Sequence, residues 1–445
     1  METKLERIAE IARTRPNERF TSLIHLINEE SIKASHKEMR TGKATGVDKI
    51  TKEIYEENLD ANVKDLIIRM KRQAYKPQDV RRVYIPKPGS DKLRPLGIPA
   101  YEDKLVQSVI AKILNAIYEQ DFLDCSFGFR PKRSCHDAIK VVNAIVNRKD
   151  ISYIVDADIK GFFDNVDHEW LMKFIEHRIA DFNLYRLIVR FLKAGIIEEG
   201  KRIDVLQGTP QGGVISPILG NIYLHYVIDL WFEKVVKKNC KGDAYMVRYA
   251  DDSLFCFENK SDAEIFYKEF IMRLKKFKLE IAEEKTKIIS LKEDEENNDE
   301  NTGNSNDSKS FDFLGFTHYL TTNKFGVKRV MRKTSKKKFK LSLMRFKEWI
   351  KENRITPIKI MMKKLKAKIQ GHCNYYGVTG NKNSVSDFID EIKRLLYKWL
   401  NRRSQRKSFN WDKFNLFLKK YPLPRAKVYV DIFAINKGKS YICKW

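Results

Sequence analysis

The chain has 445 residues, of which 86 are lysine or arginine and 59 are aspartate or glutamate, so its formal net charge is +27. No apolar run is long enough to cross a bilayer, and the charged start at residues 1–7 is unlike a secretion signal, so we expect a cytoplasmic protein without membrane association. The six cysteines show no C-x-x-C or paired Cys/His spacing, which argues against structural zinc and disulfides.

The excess of positive charge predicts a polyanionic partner. Like charges on one chain repel each other unless a partner neutralises part of them, and nucleic acid is the usual partner. A soluble basic protein without a nucleic-acid role is the alternative that charge alone leaves open.

The first third of the chain predicts helices followed by mixed structure. Residues 1–60 are typical of charged helices with a break at 41–48. Residues 80–85 predict a strand that ends in a Pro/Gly turn at 86–90, and an amphipathic helix is expected over 104–119.

The middle of the chain alternates predicted strands and helices. Residues 153–159 form a strand that leads into a glycine turn, and a helix begins at about His168 with Asp167 as its N-cap. A strand pair surrounds residues 249–252. This alternation indicates an α+β core rather than a helical bundle.

Two later segments differ from this core in composition. Residues 293–310 are almost wholly polar, which predicts a disordered loop inserted between folded elements; mimicry of nucleic acid is the less favoured interpretation. After residue 330 basic helices are expected, opening at 332–338, with a second basic cluster at 402–407. Solvated helix faces are the alternative, but the net charge favours contacts to a phosphate backbone.

The carboxylates are the first candidates for chemistry. Asp251 and Asp252 occupy a tight turn between two β-rich runs, where they repel each other unless a cation is present. Asp156 and Asp158 share one face of the preceding strand because side chains alternate. If Asp158 lies beside the turn, three carboxylates can hold two Mg²⁺ ions for a phosphoryl transfer. A surface Asp–Asp pair without a metal is the alternative.

A glycine-rich stretch at 207–217 is the second candidate. Gly208, Gly212 and Gly213 allow the backbone to approach a ligand closely. Taken alone, this stretch is equally typical of a loop before a helix.

Together these motifs resemble reverse transcriptases, and most closely the group II intron-encoded reverse transcriptase/maturase proteins. The resembling stretches occur in the family order: RPLGIPAYEDKLVQ (94–107), SFGFRPKRSCHDAI (126–139), DADIKGFFDNVDH (156–168), QGTPQGGVISPILGNIYLHYVID (207–229), YADD (249–252), FLGF (313–316) and GHCNYYG (371–377).

The resemblance implies a role for each matching residue of the centre. Asp158, Asp251 and Asp252 are similar to the catalytic metal ligands, with the backbone at Ile159 beside them, and the ions are Mg²⁺, for which Mn²⁺ can substitute. Phe163 is similar to the bulky residue that excludes a 2′-hydroxyl; by residue type alone it would be a core aromatic. The remaining residues of the nucleotide pocket are Lys87, Arg94, Lys160, Gly161, Phe162 and Gln211.

Three further features are implied by the same resemblance. Lys285 is similar to a lysine that acts as general acid towards pyrophosphate, although a solvated lysine is an equal alternative. Phe313, Leu314, Gly315 and Phe316 resemble the primer grip. Residues 42–48 resemble a loop that contacts the template.

The implied fold is a right hand: an α+β palm of antiparallel strands with packed helices, fingers, and an α-helical thumb. The expected division is an N-terminal extension at 1–60, fingers at 61–150, a palm at 151–330 with a fingers insertion at about 170–205, and a thumb or maturase region at 331–445. Many relatives carry an HNH-type nuclease domain. The sequence up to Trp445 shows no such domain, so we expect no DNA cleavage by this chain.

The implied function is RNA-directed DNA synthesis coupled to splicing of a parent group II intron. Its partners would be an RNA template, a DNA primer, deoxynucleoside triphosphates and the intron RNA, in a nucleoid-associated bacterial ribonucleoprotein; a homodimer is compatible with this. Two alternatives stay open: a domesticated relative in DNA repair or phage defence, and an RNA-binding splicing factor with a vestigial polymerase site.

Overall fold

The computed structural model describes residues 2–86, 93–198, 200–204, 207–209, 212–291, 310–322, 326, 328–403 and 409–434. The chain divides into two compact units, each assembled from discontinuous segments. The first unit comprises Met1–Ser134, Val155–Phe255 and Asn259–Lys287, and the second comprises Cys135–Ile154, Cys256–Glu258 and Ile288–Trp445.

Among the described residues, helices predominate at both ends of the chain and strands are interspersed with helices in the middle. In chain order the helices are α1 (Glu2–Thr14), α2 (Glu29–Glu38), α3 (Lys52–Glu56), α4 (Leu59–Lys71), α5 (Tyr101–Tyr118), α6 (Cys135–Arg148), α7 (Phe162–Asn165), α8 (His168–Glu176), α9 (Phe182–Leu192), α10 (Ser216–Leu224), α11 (Lys237–Asn239), α12 (Lys260–Lys276), α13 (Lys336–Asn353), α14 (Ile358–Tyr376), α15 (Lys382–Leu400) and α16 (Trp411–Lys420). A 3₁₀ turn spans Ile24–Leu26, and π-helical stretches at His225–Asp229 and Phe232–Val236 lie between α10 and α11. The strands are β1 (Val80–Pro86), β2 (Leu93–Ile98), β3 (Tyr153–Ala157), β4 (Ile196–Glu198), β5 (Lys201–Ile203), β6 (Ala244–Tyr249), β7 (Asp252–Phe257), β8 (Lys287–Ser290), β9 (Ser310–Phe313), β10 (Phe316–Thr322) and β11 (Lys328–Thr334).

Helices of the first unit begin where local sequence signals predict. The α8 helix starts at His168, and the Asp167 side chain accepts a hydrogen bond from the Trp170 backbone N–H at 2.9 Å, which confirms the predicted N-cap. The amphipathic helix expected at 104–119 is α5, which starts three residues earlier, at Tyr101.

Two sheets position the candidate site. In the first, the strand order is β2-β1-β4-β5, with β1 antiparallel to β2 and parallel to β4. In the second, the order is β6-β7-β3-β8. The two-residue connection between β6 and β7 forms the predicted hairpin, and β3 is the neighbour of β7. Mixed helices and sheets confirm the α+β class.

The second unit contains an antiparallel sheet of order β11-β10-β9 and the helices α13 to α16, whose apolar faces share one core. The expectation that basic helices begin at 332 was wrong, because residues 332–334 belong to a strand. Arg332, Lys333 and Thr334 pair with His318, Thr317 and Phe316 as the end of β11. Ser335 then caps α13 by accepting from the Lys338 N–H, so the helix starts only at Lys336.

The predicted division into extension, fingers, palm and thumb stays a prediction, because the compact units are built from interleaved segments rather than from successive ones. The loop predicted at 293–310 lies outside the described residues except for Ser310, which begins β9. Across the described ranges, no helix has both the length and the apolar character to cross a membrane.

Candidate active site

The turn between β6 and β7 carries two of the predicted carboxylates. Ala250 adopts a left-handed conformation with φ of +58°, which is unfavourable for a residue with a Cβ and must be held by its surroundings. Burial raises the pKa of the Asp251 carboxyl, and the negative charge of Asp158 raises it further, while Arg94 and Arg248 oppose the shift. Asp158 and Asp251 are therefore close enough to repel each other, as the sequence pattern predicts.

Asp158 follows the last residue of β3 and is held at its backbone. Its carbonyl accepts a hydrogen bond from the Ala282 N–H at 2.8 Å, and the next residue, Ile159, forms a β-bridge with Ile281. The Asp158 carboxylate is ion-paired with the Lys285 ammonium, which raises the pKa of Lys285. The sequence left two interpretations of Lys285 open, a general acid and a solvated lysine. The ion pair places its side chain at the carboxylate centre.

The carboxylates suit a hard cation by their chemistry, although they are not arranged as a finished metal site. Among the described residues, no group of three or more His, Cys, Asp or Glu side chains is spaced to hold a metal ion. Oxygen ligands with unbalanced negative charge are what Mg²⁺ prefers. The raised pKa of Asp251 and the Lys285 ion pair are two signs of that imbalance. The donor set therefore fits a divalent cation that would replace the ammonium.

Phe163 packs among other aromatic side chains without being fully buried. Its half-buried ring meets Phe129 edge-to-face at 6.4 Å between centroids and Phe162 at 5.1 Å. Gly161, with φ of +55°, is the residue before α7, and Phe162 and Phe163 are the first two residues of that helix. Gly220 of α10 leaves room for them, because a Cβ there would lie 3.1 Å from each ring. Phe163 is thus less buried than a core aromatic, and its role in nucleotide selection stays a prediction.

The glycine-rich loop runs beside α7. The Gly208 and Thr209 N–H groups donate to the carbonyls of Val166 and Phe163 at 2.8 and 2.7 Å. Gly212 has φ of +110°, and a Cβ there would lie 2.8 Å from the Gly97 carbonyl oxygen. This loop is thus tied to the Phe163 segment and approaches β2 closely.

The predicted nucleotide-binding cations and amide are only partly described. Arg94 is an exposed residue of β2 whose charge reaches Asp251. Lys160 is exposed and forms an ion pair with Glu280 at 3.3 Å. Lys87 and Gln211 lie outside the described residues, and their roles stay predictions.

Comparison with known proteins identifies the lineage of this site. Residues 85–318 match the family described as reverse transcriptase (RNA-dependent DNA polymerase), and residues 328–417 match the group II intron maturase-specific domain. The chain belongs to the reverse transcriptase family. The right-hand polymerase architecture predicted for it agrees with this membership and with the mixture of helices and antiparallel sheets.

Relatives of this chain include a protein encoded by a group II intron. Group II intron-encoded protein LtrA of Lactococcus lactis subsp. cremoris is 40% identical over 222 residues, which cover 50% of this chain and 37% of the relative. Protein YkfC of Escherichia coli is 34% identical over 246 residues, which cover 54% of this chain and 64% of the relative. Nuclear intron maturase 1 of Arabidopsis thaliana is 27% identical over 114 residues, or 26% of this chain and 16% of the relative. The chain thus matches about a third to two thirds of the length of the first two relatives.

The predicted primer grip of the reverse transcriptase belongs to the second unit. Leu314 and Gly315 form the turn between β9 and β10 with φ of +48° and +82°. The Tyr375 hydroxyl donates to the Leu314 carbonyl at 2.8 Å, and the Phe316 ring contacts Tyr376 at 5.3 Å. The FLGF and GHCNYYG motifs are therefore two halves of one contact within that unit. Gripping of a primer stays a prediction.

Sequence reasoning missed the buried polar residues that support the turn between β6 and β7. Arg248 and Asp229 are both fully buried and form an ion pair at 2.6 Å directly behind Ala250 and Asp251. Asp229 is the last residue of the stretch 207–229 that resembles the family, and Arg248 immediately precedes YADD. Only their burial, which a single sequence does not reveal, marks them as functional candidates.

Proposed function

We propose that this protein is an RNA-directed DNA polymerase that extends a DNA primer along an RNA template with deoxynucleoside triphosphates. The observation that carries the proposal is the approach of Asp158 to the Asp251 turn within the region that matches the reverse transcriptase family. Two segments contribute carboxylates, and the Lys285 ammonium is ion-paired with one of these carboxylates, Asp158. Together they form a centre suited to phosphoryl transfer.

The metal-binding residues in this proposal are Asp158, Asp251 and Asp252, with the Ile159 carbonyl beside them. Two Mg²⁺ ions, when bound, would lower the pKa of the primer 3′-hydroxyl and neutralise the leaving pyrophosphate. Lys285 would leave Asp158 at that point. It would still be protonated, because its ordinary pKa already lies near 10, and it is then free to donate a proton to the pyrophosphate.

Binding and selection of the nucleotide fall to the residues around the carboxylates. The exposed cations Arg94 and Lys160 would attract the triphosphate and follow the charge that develops on it during transfer. Phe163 would fill the space that a ribose 2′-hydroxyl needs, because its half-buried ring is held between Phe129 and Phe162.

The proposed RNA partner is the transcript of a parent group II intron. This rests on the maturase-specific match over 328–417 and on the net charge of +27. Transcripts of the DNA that flanks the gene should splice faster with the protein than without it. Flanking DNA that does not fold as a ribozyme would instead favour the domesticated alternative.

Primer extension tests the proposed chemistry. Asp251→Asn or Asp252→Asn should abolish DNA synthesis on an RNA template, because each removes a charge that the metal site needs, while RNA binding persists. The matched control is Asp60→Asn, which removes an exposed carboxylate that pairs with Lys33 at the surface and should retain activity. Substantial synthesis by the Asp251 or Asp252 variants would disprove the assignment of the site. A wild-type protein that binds RNA but makes no DNA would support the splicing factor instead.

A further inference from the structure

The Arg248 side chain forms a saturated hydrogen-bond network behind the catalytic turn. An arginine carries five N–H donors, and all five are used here. Nε and one Nη2 hydrogen bond reach the two carboxylate oxygens of Asp229 at 2.7 and 2.6 Å. The other three reach the Ala250 carbonyl at 2.9 Å, the Ser126 hydroxyl at 2.9 Å and the Asn221 side-chain oxygen at 3.2 Å.

This network is not explained by stability alone. Replacing a buried ion pair by apolar residues of similar volume often leaves a protein equally stable or more stable. What apolar residues cannot supply is the bond to Ala250, the residue whose left-handed backbone precedes Asp251. Arg248 thus fixes the peptide group that joins Ala250 to Asp251, the residue that carries the catalytic carboxylate.

The same network holds a second segment against the turn. The Phe127 N–H donates to the Arg248 carbonyl at 2.9 Å, and the Arg248 N–H donates to the Cys125 carbonyl at 2.8 Å. Asn221 donates to the Gly128 carbonyl at 2.8 Å. Gly128 lies so close that a Cβ on it would be 2.2 Å from the Ala250 nitrogen. The backbone at 125–128 is therefore packed directly on the catalytic turn.

We propose that Arg248 is a positioning residue that sets the catalytic turn and the 125–129 segment in register, with Asp229 as its counter-ion. Because Phe129 ends that segment and contacts Phe163, the network links the position of Asp251 to the position of the ring at the nucleotide site. This inference rests on the proposed polymerase function, and it assigns the SFGF motif a structural reason for lying next to YADD.

The test separates positioning from stability. In the double variant Arg248→Met/Asp229→Leu both charges disappear, so no unpaired ion is left buried. Its melting temperature should fall by no more than that of the control variant below, because both variants leave oxygen acceptors without a donor, while its kcat for primer extension falls about 100-fold, the effect of a displacement of about 1 Å. The matched control is Arg178→Met/Asp121→Leu, which removes the ion pair of another buried arginine with a half-buried aspartate. Arg178 donates to the carbonyls of Ala12, Arg15 and Pro16, so this variant should keep the wild-type kcat.

A second variant covers the case in which the double variant does not fold. Arg248→Lys keeps a charge for Asp229 but has only three donors, so it cannot reach all four partners. We expect kcat to fall more than KM rises, and amide hydrogen exchange in peptides covering 244–257 to speed up at an unchanged melting temperature.

The outcomes distinguish the two proposals. A stable Arg248 variant with wild-type kcat and wild-type exchange in the turn would overturn the positioning role. Absence of DNA synthesis by the wild-type protein would count against the polymerase proposal, and the exchange measurement would still decide whether Arg248 holds the turn.

Discussion

At the scale of single residues, the structure distinguishes two adjacent phenylalanines. Phe162 is buried, whereas Phe163 is half-buried and meets the Phe129 ring edge-to-face. Their positions differ by one step of α7, which begins after a glycine in left-handed conformation. The two residues should therefore respond differently to the same substitution.

Phe163→Ala should admit ribonucleotides, because it removes the ring that would collide with a 2′-hydroxyl and leaves space beside the glycine-rich loop. The measurement is incorporation from mixed ribo- and deoxynucleotides at matched extents of synthesis. The control is Phe270→Ala in α12, where a fully buried ring lies outside the predicted nucleotide pocket: it should lower the free energy of unfolding by about 3–5 kcal/mol without changing nucleotide preference. Unchanged discrimination by Phe163→Ala would return that residue to a packing role.

The sequence predicted the carboxylates but not their environments. Asp158, Asp251 and Lys285 were identified from motifs, and the structure brings them together. Asp103 shows what was missed. Burial in α5 raises its pKa to about 7, although its carboxylate accepts hydrogen bonds from the Tyr75 hydroxyl and the Gln78 N–H. Such a shift depends on residues distant in sequence that pack around the group, and no local pattern reports it.

At the scale of elements, the glycine-rich loop depends on one close approach. Gly212 has a positive φ and faces the Gly97 carbonyl, so two separate constraints exclude a side chain there. Gly200, between β4 and β5, has φ of +80° with no atom within 4 Å of its would-be Cβ. Comparing alanine substitutions at Gly212 and Gly200 therefore distinguishes the effect of backbone strain, which both have, from the effect of a steric clash, which only Gly212 has of these two.

Gly212→Ala should lower kcat/KM for the nucleotide more than Gly200→Ala does, because only the first substitution forces the loop away from β2. Both should lose about 1–2 kcal/mol of stability through the left-handed backbone. Steady-state primer extension and chemical denaturation of the two variants provide the comparison. Equal losses of kcat/KM would mean that strain alone acts and that the approach to Gly97 has no catalytic role.

Elements were predictable where the local signal was strong and wrong where tertiary pairing decided. The Asp167 cap and the hairpin at 249–252 depend on neighbours in sequence, and both were confirmed. The end of β11 was predicted as helix because its residues are basic. Pairing with β10, which composition does not encode, makes residues 332–334 a strand.

At the scale of the whole molecule, positive charge is concentrated on some exposed helix faces. The start of α13 presents Lys336, Lys337, Lys338 and Lys340, all exposed. Lysines that contact phosphates release counterions on binding, so affinity for RNA should fall as salt concentration rises.

Replacing these four lysines of α13 with glutamine should reduce the slope of log affinity against log salt by up to about 3, at about 0.7 per phosphate contact. The control replaces four exposed lysines of α12, namely Lys260, Lys268, Lys275 and Lys276, and changes the net charge equally. RNA binding measured over a salt series gives both slopes. If the two sets reduce the slope equally, total charge and not the α13 face determines affinity.

The interleaved units have a consequence for synthesis on the ribosome. All residues of α6 from Asp137 to Val146 are buried, and within its unit Ile139 packs against Phe316, Val378 and Ile432. These partners are translated more than 170 residues later, which takes roughly ten to forty seconds. During that interval the nascent chain presents an unpaired apolar helix face, a form that chaperones recognise. Vectorial folding therefore cannot finish the second unit until its final segments have emerged.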